Sequence, residues 1–298
     1  MTVQVTVGVV THDRSVLFAN MLEHLKATIR ACRHSVAVLI VNNSGADSHR
    51  MVSDLVEQSG LSELCPTTVV DSPENNIATG RNVVIDHCRT RLLAFIDDDE
   101  YPRLNWLTNL VDQQLLGLGD MVAGPTLPVY PKSAAAWVKE IDLHNVRGRK
   151  TGDVIRRSGS GNCLLDLEAI GEARFDHAFG LTGGEDANFF ESLTRRGHKL
   201  VWCAEAVVDE SITEDRSTVR YSVFRFIKQG NNFSRLMLVD ASLGERVWFR
   251  ARGAVLALVG IVCGALLLPF SPRGCARCWK GGFTNLGKLV SLRDGLYG

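Results

Sequence analysis

The sequence predicts an α/β protein, a mostly parallel sheet with helices on both faces. Three observations carry that expectation. Short apolar runs alternate with stretches of helical spacing up to about residue 125. The runs at 36–41 and 92–96 are apolar throughout, as strands covered on both faces are. The joints between segments are short and rich in turn formers, as in Asn42-Asn43-Ser44-Gly45.

Taken in order, Val3 to Val10 alternates as a strand. Leu17, Met21, Leu22, Leu25 and Ile29 then repeat at helical spacing, with Ser15 as the expected N-cap. Val36–Val41 is a strand, Met51 and Leu55 mark a helix, and Thr67–Val70 is the next strand. Ala78 to Cys88 reads as helix, Leu92 to Ile96 as strand, Trp106, Leu107 and Leu110 as one helix face, and Asp120 to Gly124 as strand. From Pro125 the prolines at 125, 128 and 131 predict irregular chain. A basic, glycine-rich turn (156–162) leads into the strand Cys163-Leu164-Leu165. The helix carrying Phe189, Phe190 and Leu193 begins after Gly183-Gly184 and closes at Gly197.

At 298 residues the chain has ample material for a buried core. Lys plus Arg and Asp plus Glu are both 33, so there is no basic excess to suggest a nucleic-acid partner. The N-terminus has neither a basic n-region nor an apolar h-region, which argues against a secretory signal. The eight scattered cysteines then read as reduced cytosolic thiols. Cys275 and Cys278 lack a second pair or nearby histidines to complete a zinc site.

Chemistry concentrates at one junction. Asp97-Asp98-Asp99-Glu100 stands directly behind the apolar strand 92–96. Packed carboxylates repel and raise each other's pKa unless something neutralises them. One neutraliser is a hard divalent cation shared with substrate phosphates; the plain alternative is a solvated acidic turn. Ligands of parallel sheets bind at the carboxyl ends of the strands. Thr11, Asn42, Asp71 and Asp97 all stand at such ends, which favours a site. Glu185-Asp186 opens a later helix, where acidic residues also suit an ordinary helix start.

The order of these segments resembles a known family. Val9-Val10-Thr11-His12-Asp13-Arg14, Val41-Asn42-Asn43-Ser44, Asn76-Ile77-Ala78-Thr79-Gly80-Arg81-Asn82, Phe95-Ile96-Asp97-Asp98-Asp99-Glu100 with Trp106-Leu107, and Gly184-Glu185-Asp186 with Phe189 and Gly197 succeed one another. Together they resemble family 2 of the glycosyltransferases, inverting enzymes with a GT-A fold. The similarity is greatest to bacterial members that extend lipid-linked exopolysaccharide repeats, such as the succinoglycan glucosyltransferases, and it covers roughly residues 3 to 235.

The resemblance implies a role for each motif. Thr11, Asp13 and Asn43 would lie on the nucleoside side, and Asp71 would be the base-contacting acid. Arg81 would face the diphosphate or base, Asp97 and Asp98 the nucleotide-sugar. Asp99, with Asp97, would hold Mg2+ or Mn2+. Asp186 would be the general base and Glu185 would bind acceptor hydroxyls. Arg216, Arg225 and Lys228 become candidate diphosphate partners, the alternative for each being a solvated basic helix face. Asn42-Asn43 replaces the family's commoner Asp-Asn, and the processive Gln-x-x-Arg-Trp motif is absent, which implies single addition. The implied donor is a UDP-sugar, and the implied acceptor a saccharide on a polyprenyl diphosphate. The rivals are a nucleotidyltransferase on a related sheet and a non-catalytic, membrane-associated nucleotide-sugar-binding protein. A dinucleotide oxidoreductase would need Gly-x-Gly-x-x-Gly where this chain has Thr-His-Asp-Arg.

The last part changes character. Ala254 to Leu268 has no polar side chain, yet it falls short of the about 20 residues a span needs. Arg246, Arg250 and Arg252 precede it, and Arg273, Arg277 and Lys280 follow. The pattern predicts a helix that dips into a membrane, the alternative being a buried core helix. The expected organisation is a GT-A catalytic domain over 1–240, with a nucleotide-sugar half (1–125) and an acceptor half (126–240). A membrane-associating region over 241–298 completes it. That places the protein peripherally or monotopically on the cytoplasmic face of the inner membrane.

Overall fold

The computed structural model describes residues 4–290 apart from 142, 143, 145, 182, 239 and 240. Strand and helix alternate through β1 (Gln4–Thr11), α1 (Ser15–Ala31), β2 (Ser35–Asn42), α2 (His49–Ser59), β3 (Thr67–Asp71), α3 (Ile77–His87) and β4 (Leu92–Asp97). Next come β5 (Glu100–Pro102), α4 (Trp106–Leu115), β6 (Met121–Ala123), β7 (Thr126–Val129), α5 (Ala136–Lys139), β8 (Val154–Ile155) and β9 (Asn162–Asp166). The helices α6 (Leu167–Ile170), α7 (His177–Gly180) and α8 (Glu185–Arg195) lead to β10 (Leu200–Trp202) and β11 (Val208–Ser211). Three longer helices end the described chain: α9 (Val219–Met237), α10 (Leu243–Leu267) and α11 (Pro272–Gly287).

Contacts gather the chain into two compact units. The first comprises Met1–Pro128, His144–Leu181 and Glu185–Ser211; the second comprises Val129–Leu143, Thr182–Gly184 and Ile212–Gly298.

The first unit holds an eight-stranded sheet of order β3-β2-β1-β4-β9-β6-β10-β8. The four leading strands are parallel, as are β6 and β10, while β9 runs antiparallel to both β4 and β6. Side-chain alternation feeds two cores, one on each face. Val5, Val7 and Val9, with Leu92, Ala94 and Ile96, face α1, α2 and α4. Leu39, Val41, Leu93 and Phe95 face α3 and α8 on the other side. A Cβ on Gly8 would meet Val84 at 2.4 Å, so this glycine lets α3 lie close against the sheet. Register then lines up the strand ends: Thr11 pairs with Asn42, Asn42 with Asp71, and Val10 with Asp97.

Several local expectations are corrected. Ser15 is the first residue of α1 rather than its N-cap; Arg14 holds that position and offers no side-chain cap. The helix marked by Met51 and Leu55 is α2, whose buried residues are Val52, Val56 and Ser59. The proline-marked stretch contains β7, with Pro128 inside it. That is tolerated because β7 is an edge strand of a small sheet of order β5-β11-β7, where a missing N–H breaks no ladder. Glu100 opens β5 rather than extending a solvated turn. Val3, the expected start of the first strand, lies outside the described residues.

In the second unit Trp137, Val138, Ile141, Phe226, Cys275 and Ala276 form a separate core. Cys275 is thus a small buried core side chain, and all eight cysteines are free thiols. The apolar run expected from Ala254 occupies the later part of α10, which starts earlier at a capping box formed by Ser242 and Glu245.

Asn162 ties several elements of the first unit together. Its Oδ1 accepts from Trp106 Nε1 (2.8 Å), and its Nδ2 donates to the carbonyls of Pro125 (3.0 Å) and Ala206 (2.8 Å). Asn162→Ala would leave one buried donor and two acceptors unpartnered, so it should cost about 3 kcal/mol in urea unfolding. A cost below about 1 kcal/mol would mean that these bonds do not hold the segment.

Candidate active site

Asn76 caps α3, its side chain accepting from the N–H groups of Ala78 (2.9 Å) and Thr79 (3.3 Å). Gly80 sits where a Cβ would come within 2.8 Å of Val10, so the first turn of α3 presses onto the end of β1. Arg81 is thereby carried over the carboxyl ends of the strands. Its guanidinium is 4% exposed and meets three carboxylates. One nitrogen donates to Glu185 (2.6 Å) and Asp186 (2.8 Å), and the other to Asp97 (3.2 Å). It also lies over the ring of Phe175 at 5.6 Å. Phe175 stacks on Phe189 of α8 and meets Phe95 of β4 edge-on, while Asn82 holds the Phe175 backbone through both N–H and C=O. Aromatic packing thus brings the start of α8 to the end of β4.

The acidic cluster is balanced by a second arginine. Arg14 donates to Asp98 (3.0 Å) and to Asp99 (2.7 Å). Asp98 also accepts from Thr11 Oγ1 (3.0 Å) and from the His12 N–H (3.2 Å). Burial still dominates: Asp99 is pushed up to about 6 despite the attraction of Arg14, with Asp97 and Asp98 adding repulsion. Glu100 is buried and raised well above the carboxylate range by desolvation and by Asp97 and Glu210. Its Oε1 accepts from Thr126, while its Oε2 is buried with no hydrogen-bond partner. Gly161 leaves room for these groups, since a Cβ there would sit 2.7 Å from both Asp97 Oδ2 and Glu100 Oε2.

Asp186 is the other strongly perturbed carboxyl. Burial pushes it up to about 7, Arg81 opposes, and Glu185 and Asp97 add repulsion. Its Oδ1 accepts from Arg81 and from the buried Ser160 hydroxyl at 2.5 Å. The side chain remains 27% exposed, so a substrate can approach it. A partly accessible carboxyl that titrates near neutrality suits proton abstraction.

The remaining expected residues fall into two groups. Asp13 is the one described non-glycine residue with positive φ (47°), and its N–H donates to Ser44. Asn43 is buried beside it, its N–H donating to Thr11 O and its own carbonyl meeting His12 Nδ1. Asp71 accepts from Asn42 Nδ2 (2.8 Å) and meets His49 Nδ1 (3.0 Å). These bonds outweigh desolvation and lower its pKa. Arg216, in the turn Asp215–Ser217, and Arg225, on α9, belong to the second unit.

In this structure the Arg81 guanidinium is engaged by three carboxylates, those of Asp97, Glu185 and Asp186. Arg14, Ser160, Gly161, Glu210 and His49 had no expected role. Their one visible signal was position: Arg14 ends the first motif, and Ser160-Gly161 lie in the glycine-rich turn.

Among the described residues no three His, Cys, Asp or Glu side chains are gathered as a metal-ligand group. A hard cation bound mainly by phosphates and water needs only one or two carboxylates. Asp97, which is 39% exposed, and the perturbed Asp99 fit that requirement. The orphaned Glu100 Oε2 beside Asp97 fits it too.

Residues 6–164 match the sequence profile described as Glycosyl transferase family 2. The chain is 30% identical over 251 residues to the succinoglycan biosynthesis protein ExoM of Rhizobium meliloti (strain 1021), spanning 83% of this chain and 79% of that protein. Among solved structures it is similar to the mannosyltransferase PcManGT of Pyrobaculum calidifontis in complex with GDP-Man and Mn2+. The TM-score is 0.65 at 15% identity, over 97% of this chain and 86% of that one. It is also similar to S. aureus TarS 1-349 in complex with UDP-GlcNAc, at TM-score 0.50 and 13% identity, over 93% and 89% of the two chains. At these identities the structural likeness bears on the fold alone, which is the GT-A arrangement the sequence predicts.

The Arg81 cluster makes a test possible without substrate. Arg81→Met should destabilise the protein by about 3–5 kcal/mol at pH 8, the usual cost of stranding buried charge. Stability should recover in part toward pH 5, because protonating Asp186, which burial and the nearby charges push up to about 7, removes its repulsion with Glu185 and Asp97. Urea unfolding at both pH values reads this out. An equal loss at both would mean that packing, not charge, is what Arg81 supplies.

Proposed function

The chain belongs to glycosyl transferase family 2, and on that premise we propose that it transfers one hexose, with inversion, from a UDP-sugar to a lipid-linked saccharide. One observation carries the reading: a single buried guanidinium joins the strand-end carboxylate Asp97 to the pair Glu185–Asp186. Donor-side and acceptor-side chemistry are thereby held a fixed distance apart.

In this reading Asp186 removes the proton from the acceptor hydroxyl. The freed oxygen attacks the anomeric carbon from the face opposite the leaving group. The bond from that carbon to the phosphate oxygen breaks, and nucleoside diphosphate departs with the electron pair. Arg81 and Ser160 occupy Asp186 Oδ1, which leaves Oδ2 to take the proton. Glu185 binds acceptor hydroxyls. Asp97 and Asp99 would hold Mg2+ or Mn2+, as Mn2+ accompanies GDP-Man in PcManGT. Such a cation, when bound, offsets the charge developing on the diphosphate. We assign Asp71, which bonds Asn42 and His49, to an N–H of the base, and Thr11, Asp13, Asn43 and Asp98 to the nucleoside side. We assign Arg216 and Arg225 to the diphosphates. The catalytic domain extends to about residue 240, and the region beyond holds the enzyme to the cytoplasmic face of the membrane, where a polyprenyl-diphosphate acceptor resides.

Asp186→Asn should keep UDP binding near wild type, read as a thermal shift, and lower turnover by about 10²-fold or more. If Glu185→Gln is the more damaging, the two roles are exchanged; if neither matters, the base lies elsewhere. The wild-type kcat/KM should fall about tenfold per unit as pH drops below about 7, because Asp186 must be unprotonated to act. A flat profile between pH 5 and 8 would remove Asp186 from that role.

Asp99→Asn should abolish turnover and weaken UDP binding while leaving the unfolding midpoint close to wild type. Normal turnover by this variant with chelator present would refute the metal assignment. GDP stabilising the protein more than UDP would refute the uridine donor.

A further inference from the structure

The second unit contains an apolar surface that the reaction does not use. On α10, Trp248, Val255, Leu258, Val259, Val262 and Leu266 are exposed and share one side of the helix, with Phe270 (83% exposed) just beyond its end. The opposite side is made of small residues and is buried. A Cβ on Gly260 would come within 2.6 Å of Gly282 Cα, and one on Gly264 within 2.1 Å of the Trp279 ring. Trp279 Nε1 also donates to the Ile261 carbonyl (3.2 Å). The contacts run antiparallel, Gly253 facing Asn285 and Gly264 facing Trp279, so α10 and α11 form a tight hairpin.

That hairpin is strapped down along its length. Near the start of α10, Phe249 stacks on Phe233 of α9, and Lys288 lies over both rings. Near the far end, Trp279 meets Trp137 of α5 at 4.9 Å, and Arg273 pairs with Glu140 at 2.9 Å. Between them Gly230 and Gly287 allow α9 and α11 to touch backbone to backbone. By length and composition Leu243–Leu267 could cross a membrane, but a hairpin fastened in this way is part of its unit's fold rather than a free-standing span. The uninterrupted apolar run is also only roughly 22 Å long as a helix, against a hydrocarbon core of about 30 Å.

We infer that the α10–α11 hairpin is a monotopic docking surface: α10 lies in the membrane plane, its outer side immersed at the boundary of headgroups and acyl chains. The occupant is an anionic lipid surface. The exposed side carries no charge from Ala254 to Phe270, while exposed Arg250 and Arg252 stand at one end and Arg273 and Arg277 at the other. Cations at both ends of a greasy face match headgroups flanking acyl chains. The geometry deepens the membrane reading above, and it stands independently of the donor and acceptor.

The full-length chain is floated with vesicles of phosphatidylcholine, with and without phosphatidylglycerol. It should bind, more tightly with phosphatidylglycerol. Leu258→Glu combined with Val262→Glu should abolish flotation while the thermal transition and the UDP-induced shift persist. Arg250→Gln combined with Arg277→Gln should remove the preference for anionic lipid. Single Val255→Trp, Val262→Trp and Leu266→Trp variants should gain the same shallow quenching from lipids brominated near the headgroup. Quenching that deepens steadily from 255 to 266 would overturn the in-plane geometry while keeping membrane binding. A protein that stays in the aqueous phase would overturn the membrane assignment, whether as a monomer or as a dimer that the glutamates dissociate. A lost UDP shift in the glutamate variant would mean it had misfolded; serine at the same two positions, which removes the apolar side chains without adding charge and should weaken flotation, then decides.

Discussion

The arrangement of the first unit turns on a charge problem. Parallel strands all end on the same side of a sheet, and here one of them ends in the first of four consecutive acidic residues. Glu185 and Asp186 arrive at the same place from α8. So many carboxylates with little water between them would repel strongly. Arg81 and Arg14 resolve part of the conflict, each bonded to more than one carboxylate. What they leave unresolved appears as raised pKa values at Asp99, Glu100 and Asp186. In the proposed reaction that residual repulsion would favour a bound cation and keep the assigned base near neutrality.

Placing Arg81 within reach of three carboxylates makes demands far from the charges. Glycine is required at positions 8 and 80 so that α3 can approach β1, and Asn76 must cap the helix at the right residue. Phe95, Phe175 and Phe189 set the distance from β4 to α8. The segment 160–162 then serves three neighbours in succession. Ser160 bonds the Asp186 carboxylate, Gly161 yields space to Asp97 and Glu100, and Asn162 secures Trp106 and two backbone carbonyls. Core packing and site geometry are therefore one constraint here, and a loss at Asn162 would be felt two residues away.

The second unit answers a different demand. Its helices pack through glycine, alanine and aromatic edges, and they leave one long apolar side of α10 in the open. In water such a surface is unfavourable. At a lipid boundary, the occupant inferred above, immersion would remove apolar area from water without any backbone group losing its hydrogen bond.

The sequence by itself determined the alternating elements, the mostly parallel sheet, and the gathering of Thr11, Asn42, Asp71 and Asp97 at one edge. Those follow from local periodicity and from the rule that parallel strands share a direction. The family, too, was legible in the order of short motifs. Tertiary structure alone decided who neutralises whom. Arg81 lies more than a hundred residues from Glu185, Arg14 more than eighty from Asp98, and no local pattern links them. It also decided that Pro128 could sit in a strand, since an edge position is a property of the sheet and not of the residue. For the tail, composition announced an apolar helix, but its orientation depends on straps from α5, α9 and α11. A pairing between distant segments is set by how the chain packs, and packing is where the periodicity of a single segment stops carrying information.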